Sequence, residues 1–127
     1  MALRPKSIFV VDDDEMLRTM LNDHLQKNPL YKVQEFSTGE DCVKALHNNP
    51  DVIILDFELN TVVPNAANGL EILQQIKKID KKICVIMLSS QSQYGKALQT
   101  IVKGALEYVV KDNDAFKKID SILASLQ

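Results

Sequence analysis

The sequence predicts a doubly wound α/β fold, a five-stranded parallel sheet with helices on both faces. Five short apolar segments alternate with five stretches whose apolar residues recur at helical spacing. A helix-length connection returns the chain to the same end of the sheet, so consecutive strands run parallel, and right-handed crossovers place helices on both faces. We expect one domain over residues 1–127, because this length is typical of a single domain and 46% of the residues are hydrophobic.

The predicted strands are short and apolar. The third, Asp51–Asp56, has four consecutive apolar residues between two acidic ones, the pattern of a strand buried on both faces. Asp51 follows Pro50 and is interpreted as a turn residue, whereas Asp56 lies at the end where open α/β sheets bind ligands. The other predicted strands are 7–11, 31–36, 83–88 and 106–110.

The helices are predicted from apolar residues three and four positions apart. Their apolar stripes fall within 16–25, 42–46, 70–79, 94–102 and 116–126. Asn28–Pro29 stops the first helix, the second ends near 48–50, and Gly104 follows the fourth. Asp112 or Asp114 can cap the fifth. The polar loop 57–68 is long for such a connection.

Composition excludes several classes of function. Fifteen basic and seventeen acidic residues, with no basic run, argue against direct nucleic-acid binding. The apolar segment 8–11 is too short for a signal peptide or a membrane span, so we expect a cytoplasmic protein without membrane insertion. Cys42 and Cys84 are predicted to be small buried side chains rather than a disulfide or a metal pair.

Polar residues gather at the predicted carboxyl ends of the strands. In the flavodoxin-like strand order 2-1-3-4-5, strands one and three are neighbours, so Asp12 and Asp13 should face Asp56 across one crevice. Ser89–Ser90 follow the fourth strand and Lys111 closes the fifth. Each residue alone could be a helix cap or a surface group, but their joint placement at four strand ends favours a functional site.

The chemistry of this set suits phosphoryl transfer. Clustered carboxylates repel one another, and an oxygen-rich, sulfur-free cluster suits Mg²⁺, which commonly binds one or two carboxylates together with phosphate oxygens. Asp56 would be the nucleophile, forming an aspartyl-phosphate. Lys111 can neutralise a phosphoryl oxygen and Ser89 can donate a hydrogen bond to another.

Several short motifs along essentially the whole chain carry a family resemblance. They are Val10–Asp13, Ile53–Asp56, Gly69–Glu71, Ser89, Gly104–Ala105 and Tyr108–Lys111. In these motifs the chain resembles the receiver domain of bacterial two-component response regulators, of the stand-alone type. The resemblance implies that Asp56 is the phosphoacceptor and binds Mg²⁺ with Asp13 and the backbone carbonyl of Glu58, while Asp12 acts mainly through water.

The same resemblance implies partners and a switch. The phosphodonor would be a sensor histidine kinase or a histidine phosphotransfer protein. Ser89 and Lys111 would contact the phosphoryl group, and Ser89 would move toward it while Tyr108 turns inward. A downstream protein would bind the face formed by helix four, strand five and helix five. Glu58 and Gln91 are assigned to tuning the phosphoryl lifetime, and we expect the Glu58 carboxylate to lean over the phosphoryl group and obstruct the hydrolytic water.

The sequence departs from the family pattern at three places. Asp112 stands where a proline usually follows the lysine, which bears on the local geometry of Lys111. The segment Asn60–Asn68 is longer than usual and displaces Pro64; it is interpreted as a surface insertion, with a partner contact or a lid as the alternative. Ser89 replaces the commoner threonine and keeps the hydroxyl.

Two other functions use the same residues. A Mg²⁺-dependent phosphohydrolase would act through Asp56 with Glu58 as its acid/base carboxylate, and would turn over a small phosphoester rather than take up one label per chain. A constitutive binding module would have an acidic pocket that binds neither Mg²⁺ nor a phosphoryl mimic. The relay function is the one predicted, and the chain is not expected to be a turnover enzyme.

Overall fold

The computed structural model describes residues 6–91 and 94–126 of the 127-residue chain. In these residues five strands alternate with five α-helices, as predicted. The elements are β1 (Lys6–Val11), α1 (Glu15–Gln26), β2 (Tyr31–Phe36), α2 (Gly39–Lys44), β3 (Val52–Asp56), α3 (Gly69–Ile79), β4 (Cys84–Ser89), α4 (Tyr94–Val102), β5 (Glu107–Val110) and α5 (Ala115–Ser125).

The sheet has the predicted order β2-β1-β3-β4-β5, and every neighbouring pair is parallel. All five residues of the central strand β3 are buried. Because side chains alternate along a strand, Ile53 and Leu55 pack with α2 and α3 on one face, and Val52 and Ile54 pack with α1 and α5 on the other. The continuous apolar run of β3 therefore reflects two separate core layers.

The second helix differs from its prediction. The α-helix ends at Lys44, and a 3₁₀ helix, Leu46–Asn48, completes the segment. Asn49 then adopts the left-handed conformation with φ of 57°, which asparagine tolerates better than most residues and which ends the helix. The apolar pattern up to Leu46 is maintained by the tighter 3₁₀ turn, since Leu46 is buried.

Two further predictions concern the core and the membrane. Cys42 and Cys84 are both free thiols. Cys42 is fully buried as predicted, and burial raises its pKa to about 12. Cys84 at the start of β4 is partly exposed, so its predicted full burial is wrong. Among the described residues, no helix has the length and apolar character needed to cross a membrane.

Candidate functional site

The predicted site residues meet at the carboxyl edge of the sheet. Asp12 directly follows β1, Asp56 ends β3, Ser89 ends β4 and Lys111 follows β5. Since β3 lies between β1 and β4, these four positions line one continuous stretch of the edge. The topology alone therefore accounts for their assembly.

Three carboxylates form the centre of the site. Asp12, Asp13 and Asp56 each offer an oxygen, and these oxygens lie within 4.8 Å of one another. Asp12 and Asp56 are only 2% and 1% exposed, whereas Asp13 is half-buried. Negative charges this close, and largely removed from water, disfavour one another strongly.

Lys111 provides the positive charge among these carboxylates. Its Nζ lies 3.0 Å from Asp56 Oδ1 and 3.2 Å from Asp12 Oδ2. Burial disfavours the charged ammonium, but the two carboxylates outweigh burial and raise the pKa of Lys111. The Lys111 backbone N–H donates to the Ser89 carbonyl at 2.8 Å. This bond fixes the backbone of Lys111 relative to the end of β4, and so the position from which its side chain extends.

Asp56 has one oxygen bound and one oxygen open. Oδ1 accepts a hydrogen bond from the Glu58 backbone N–H at 3.1 Å and faces Lys111. Oδ2 is buried and has no hydrogen-bond partner among residues 6–91 and 94–126. Burial, together with the charge of Asp12, raises the pKa of the Asp56 carboxyl to about 8, although Lys111 and the Glu58 N–H act in the opposite direction. Such a buried, open oxygen calls for a cation or an electrophile.

The donor set fits a hard divalent cation. It consists of carboxylate oxygens alone, which Mg²⁺ prefers, one each from Asp12, Asp13 and Asp56. Asp12, Asp13 and Asp56 are the residues that would hold the ion, and its charge would offset their mutual repulsion. The predicted contribution of the Glu58 backbone carbonyl stays a prediction.

The Glu58 side chain binds two serines. Its Oε2 accepts a hydrogen bond from Ser89 Oγ at 2.8 Å, and its Oε1 accepts from the N–H and Oγ of Ser90 at 2.9 and 2.7 Å. These bonds fix the carboxylate at the end of β4, next to the end of β3 that carries Asp56, and its predicted position over the phosphoryl group stays a prediction. The role of Ser90 as an anchor for Glu58 was missed, because serine after a strand predicts only a cap or a turn.

A hydrogen-bonded series connects Ser89 to Tyr108. The Gln91 N–H donates to Ser89 Oγ at 3.1 Å, and the Tyr108 hydroxyl donates to the Gln91 carbonyl at 2.7 Å. Burial raises the pKa of Tyr108, the nearby Ser89 hydroxyl lowers it, and the charge of Glu58 raises it. The two predicted switch residues are therefore connected through Gln91.

The loop between β3 and α3 reaches the metal-binding candidate Asp13. Asp13 Oδ2 accepts hydrogen bonds from the Thr61 N–H, the Thr61 hydroxyl and the Val62 N–H. The unusual length of this loop is evident from the sequence, but no sequence pattern indicates the contact, which joins residues 48 positions apart. The interpretation as a plain surface insertion missed this role.

Asp112 replaces the usual proline without displacing Lys111. Its N–H donates to the Val110 carbonyl at 2.8 Å, a bond that proline could not make. Its Oδ1 accepts a hydrogen bond from the Asp114 N–H at 2.9 Å. Asp114 is the N-cap residue of α5, but its side chain makes no capping bond. The turn that starts α5 is thus stabilised by Asp112, and Lys111 still reaches both carboxylates.

Comparisons with known proteins agree with this geometry. The family model of the response regulator receiver domain matches residues 8–123. The chemotaxis protein CheY of Bacillus subtilis is 30% identical over 120 residues, which cover 94% of this chain and 96% of that protein. The response regulator domain of Thermotoga maritima CheB is 31% identical, with a TM-score of 0.77 and coverage of 97% and 93% of the two chains. The beryllofluoride-activated DrrB receiver domain is 29% identical, with a TM-score of 0.78 and coverage of 95% and 97%. This chain therefore belongs to the response regulator receiver domain family.

Proposed function

We propose that Asp56 accepts a phosphoryl group from a phosphohistidine of a sensor histidine kinase or a histidine phosphotransfer protein. The observation that carries this proposal is the open, buried Oδ2 of Asp56, a carboxylate whose other oxygen, Oδ1, contacts the Lys111 ammonium. Oδ2 would attack phosphorus and form a P–O bond, while the P–N bond breaks and the imidazole of the donor leaves with the electron pair. The product is an aspartyl-phosphate.

Each neighbouring residue has a role in this transfer. Lys111 neutralises charge on a phosphoryl oxygen, and the Ser89 hydroxyl donates to another once it leaves Glu58. Asp12, Asp13 and Asp56, with the Glu58 backbone carbonyl, would hold Mg²⁺. When bound, Mg²⁺ supplies charge that lets an anionic phosphate approach the carboxylates.

The signal would leave through protein contacts on the face formed by α4, β5 and α5. This face carries exposed apolar side chains, which are unusual on a free surface and typical of a binding site. They are Tyr94, Leu98, Ile101, Val102 and Leu106. Tyr108 on β5 connects the face to the site through Gln91 and Ser89, so movement of Ser89 toward the phosphoryl group would change this surface.

Glu58 and Gln91 would set how long the phosphoryl group lasts. After Ser89 moves to the phosphoryl group, Ser90 still holds Glu58 beside the phosphoacceptor with two hydrogen bonds, and a carboxylate fixed there would repel incoming anions and obstruct water. Gln91 holds Ser89 Oγ through its N–H.

We also infer that residues 1–127 act as a single cytoplasmic receiver domain that accepts one phosphoryl group and promotes its hydrolysis, without turning over an external substrate or binding nucleic acid.

Labelling with acetyl phosphate tests the proposed function. Wild type should take up close to one phosphoryl group per chain with Mg²⁺, and little after chelation, as measured by intact-protein mass. Asp56→Asn should take up none, because the nucleophile is absent. Asp41→Asn, which removes an exposed carboxylate on α2, is the matched control and should label as wild type.

If Asp56→Asn is labelled as fully as wild type, or if wild type is labelled equally well with and without Mg²⁺, the proposed Mg²⁺-dependent phosphorylation of Asp56 is wrong. Continuous release of phosphate far beyond one equivalent would favour the phosphohydrolase instead.

A further inference from the structure

The long loop between β3 and α3 contacts the metal-binding candidate Asp13 through three donors on a single oxygen. The Thr61 N–H, the Thr61 hydroxyl and the Val62 N–H lie 3.0, 2.5 and 3.2 Å from Asp13 Oδ2. Hydrogen bonds to a carboxylate are stronger than those between neutral groups. Three of them on one oxygen fix the rotation of the carboxylate about its own axis.

The loop is anchored on both sides of Thr61. Leu59 is fully buried in the core layer under α2 and α3. The Ala67 N–H donates to Glu40 Oε2 at 2.9 Å, and Asn68 forms a capping box with Glu71 at the start of α3. The segment that carries Thr61 is therefore held at both ends, which gives its hydroxyl a defined position relative to Asp13.

The contact divides the two oxygens of Asp13 between two tasks. Oδ2 accepts all three hydrogen bonds from the loop, and Oδ1 has no hydrogen bond among the described residues 6–91 and 94–126. The arrangement leaves Oδ1 available to a cation. Partners that orient the ligands of a metal in this way commonly determine its affinity.

We propose that Thr61 is a positioning residue of the Mg²⁺ site, which holds the Asp13 carboxylate in the orientation that binds the ion. This inference rests on the proposed function, because it assumes that Asp13 binds Mg²⁺. Threonine suits the role, since its hydroxyl donates and its β-branch restricts χ1. The extra residues of the loop would then orient a metal ligand without binding the metal themselves.

The test is a titration of the unphosphorylated full chain with MgCl₂, in which binding is measured from the change of amide chemical shifts in NMR spectra. Thr61→Val keeps the shape and the backbone N–H but removes the hydroxyl. It should weaken Mg²⁺ binding about tenfold, the lower end of the loss typical for residues that orient metal ligands, because Thr61 is exposed. Thr61→Ser keeps a hydroxyl and should restore most of the affinity. Val63→Ala, an exposed change in the same loop, should bind as wild type.

The titration separates failure of this inference from failure of the proposed function. If wild type binds Mg²⁺ and Asp13→Asn does not, but Thr61→Val binds as tightly as wild type or more tightly, Thr61 does not position Asp13. If Val63→Ala weakens binding as much as Thr61→Val, the loop acts through general packing and the role of Thr61 is wrong. If wild type does not bind Mg²⁺, or Asp13→Asn binds it equally well, the metal site of the proposed function fails and this inference fails with it. The amides of Thr61 and Val62 should shift during the wild-type titration, and their lack of response would contradict the proposal.

Discussion

Asp56 is a residue at which function and stability oppose each other. Its carboxyl must ionise to act as a nucleophile, yet burial and Asp12 raise its pKa from 3.8 to about 8. Between these two values the folded chain holds a proton that the unfolded chain releases. The contribution of Asp56 to stability is therefore full below pH 4 and is lost as the pH rises toward 8.

Asp56→Asn should remove this pH dependence. Without divalent cations, the unfolding free energy of wild type should fall relative to the variant by up to about 1.4 kcal/mol per pH unit between pH 5 and 7. Urea denaturation in chelator at both pH values measures the difference, with Asp41→Asn as the control. Parallel pH profiles for wild type and Asp56→Asn would show that the site does not hold the proton. Excess MgCl₂ should reduce the effect, since the cation favours the ionised form.

Glu58 should extend the lifetime of the phosphoryl group. Ser90 holds its carboxylate beside the phosphoacceptor, where we expect it to obstruct water, and an acyl phosphate needs little help from a general base. Glu58→Ala should therefore lose its label faster than wild type after the donor is removed. Glu58→Gln separates charge from hydrogen bonding, because it keeps an acceptor for the serines. Slower decay in Glu58→Ala would mean that the carboxylate assists water, and would support the phosphohydrolase alternative.

At the scale of elements, the start of α3 packs directly on the end of β3. A Cβ atom at Gly69 would lie 2.3 Å from the Asp56 carbonyl oxygen and 2.6 Å from the Phe57 Cα, both of which belong to the backbone and cannot rotate away. The Gly69 N–H also donates to the Phe57 carbonyl at 2.9 Å. The position of the phosphoacceptor therefore depends on the absence of a side chain at the first residue of α3.

Gly69→Ala should destabilise the chain and disturb phosphorylation together. The backbone of β3 or α3 must shift, which costs about 1 to 3 kcal/mol, and the shift displaces Asp56. Urea denaturation and the rate of labelling by acetyl phosphate measure the two effects. Gly95→Ala is the control, because its added Cβ lies more than 4 Å from every atom of the described residues outside its own helix turn and alanine is favoured in a helix. Equal stability of the two variants would contradict the packing argument.

Helices and strands could be predicted from the sequence better than the loops between them. The apolar run of β3 and the helical spacing of α1, α3 and α5 reflect burial, which leaves a periodic pattern. Once the strand order was inferred, Asp12, Asp56, Ser89 and Lys111 followed, because each lies at a strand end. The contacts Thr61–Asp13 and Ser90–Glu58 depend on the path of loops, which leaves no periodic pattern, so they could not be predicted. The 3₁₀ turn after α2 was missed because its period is close to that of an α-helix.

At the scale of the whole molecule, two routes lead from the phosphoacceptor to the exposed face of α4 and β5. One passes from Ser89 through Gln91 to Tyr108. The other passes through Lys111, whose Nζ contacts Asp56 and whose backbone continues β5 from Val110. The ammonium is thus an ionic connection between the phosphoacceptor and the fifth strand, whereas in the proposed function the capture of phosphate depends on Asp56 and the metal.

Lys111→Ala should consequently separate phosphorylation from the conformational response. With Mg²⁺ present, the variant should still accept phosphate from acetyl phosphate, because the nucleophile and the metal ligands remain. Beryllofluoride, which mimics a bound phosphoryl group, should change the amide chemical shifts of Tyr108 and α4 much less than in wild type. The reason is that the variant has no ammonium to connect the bound anion to the end of β5. Lys103→Ala, which removes an exposed ammonium just after α4, should behave as wild type in both measurements. If Lys111→Ala keeps both the label and the Tyr108 shifts at wild-type levels, the ammonium does not transmit the signal, and the route through Ser89 is sufficient.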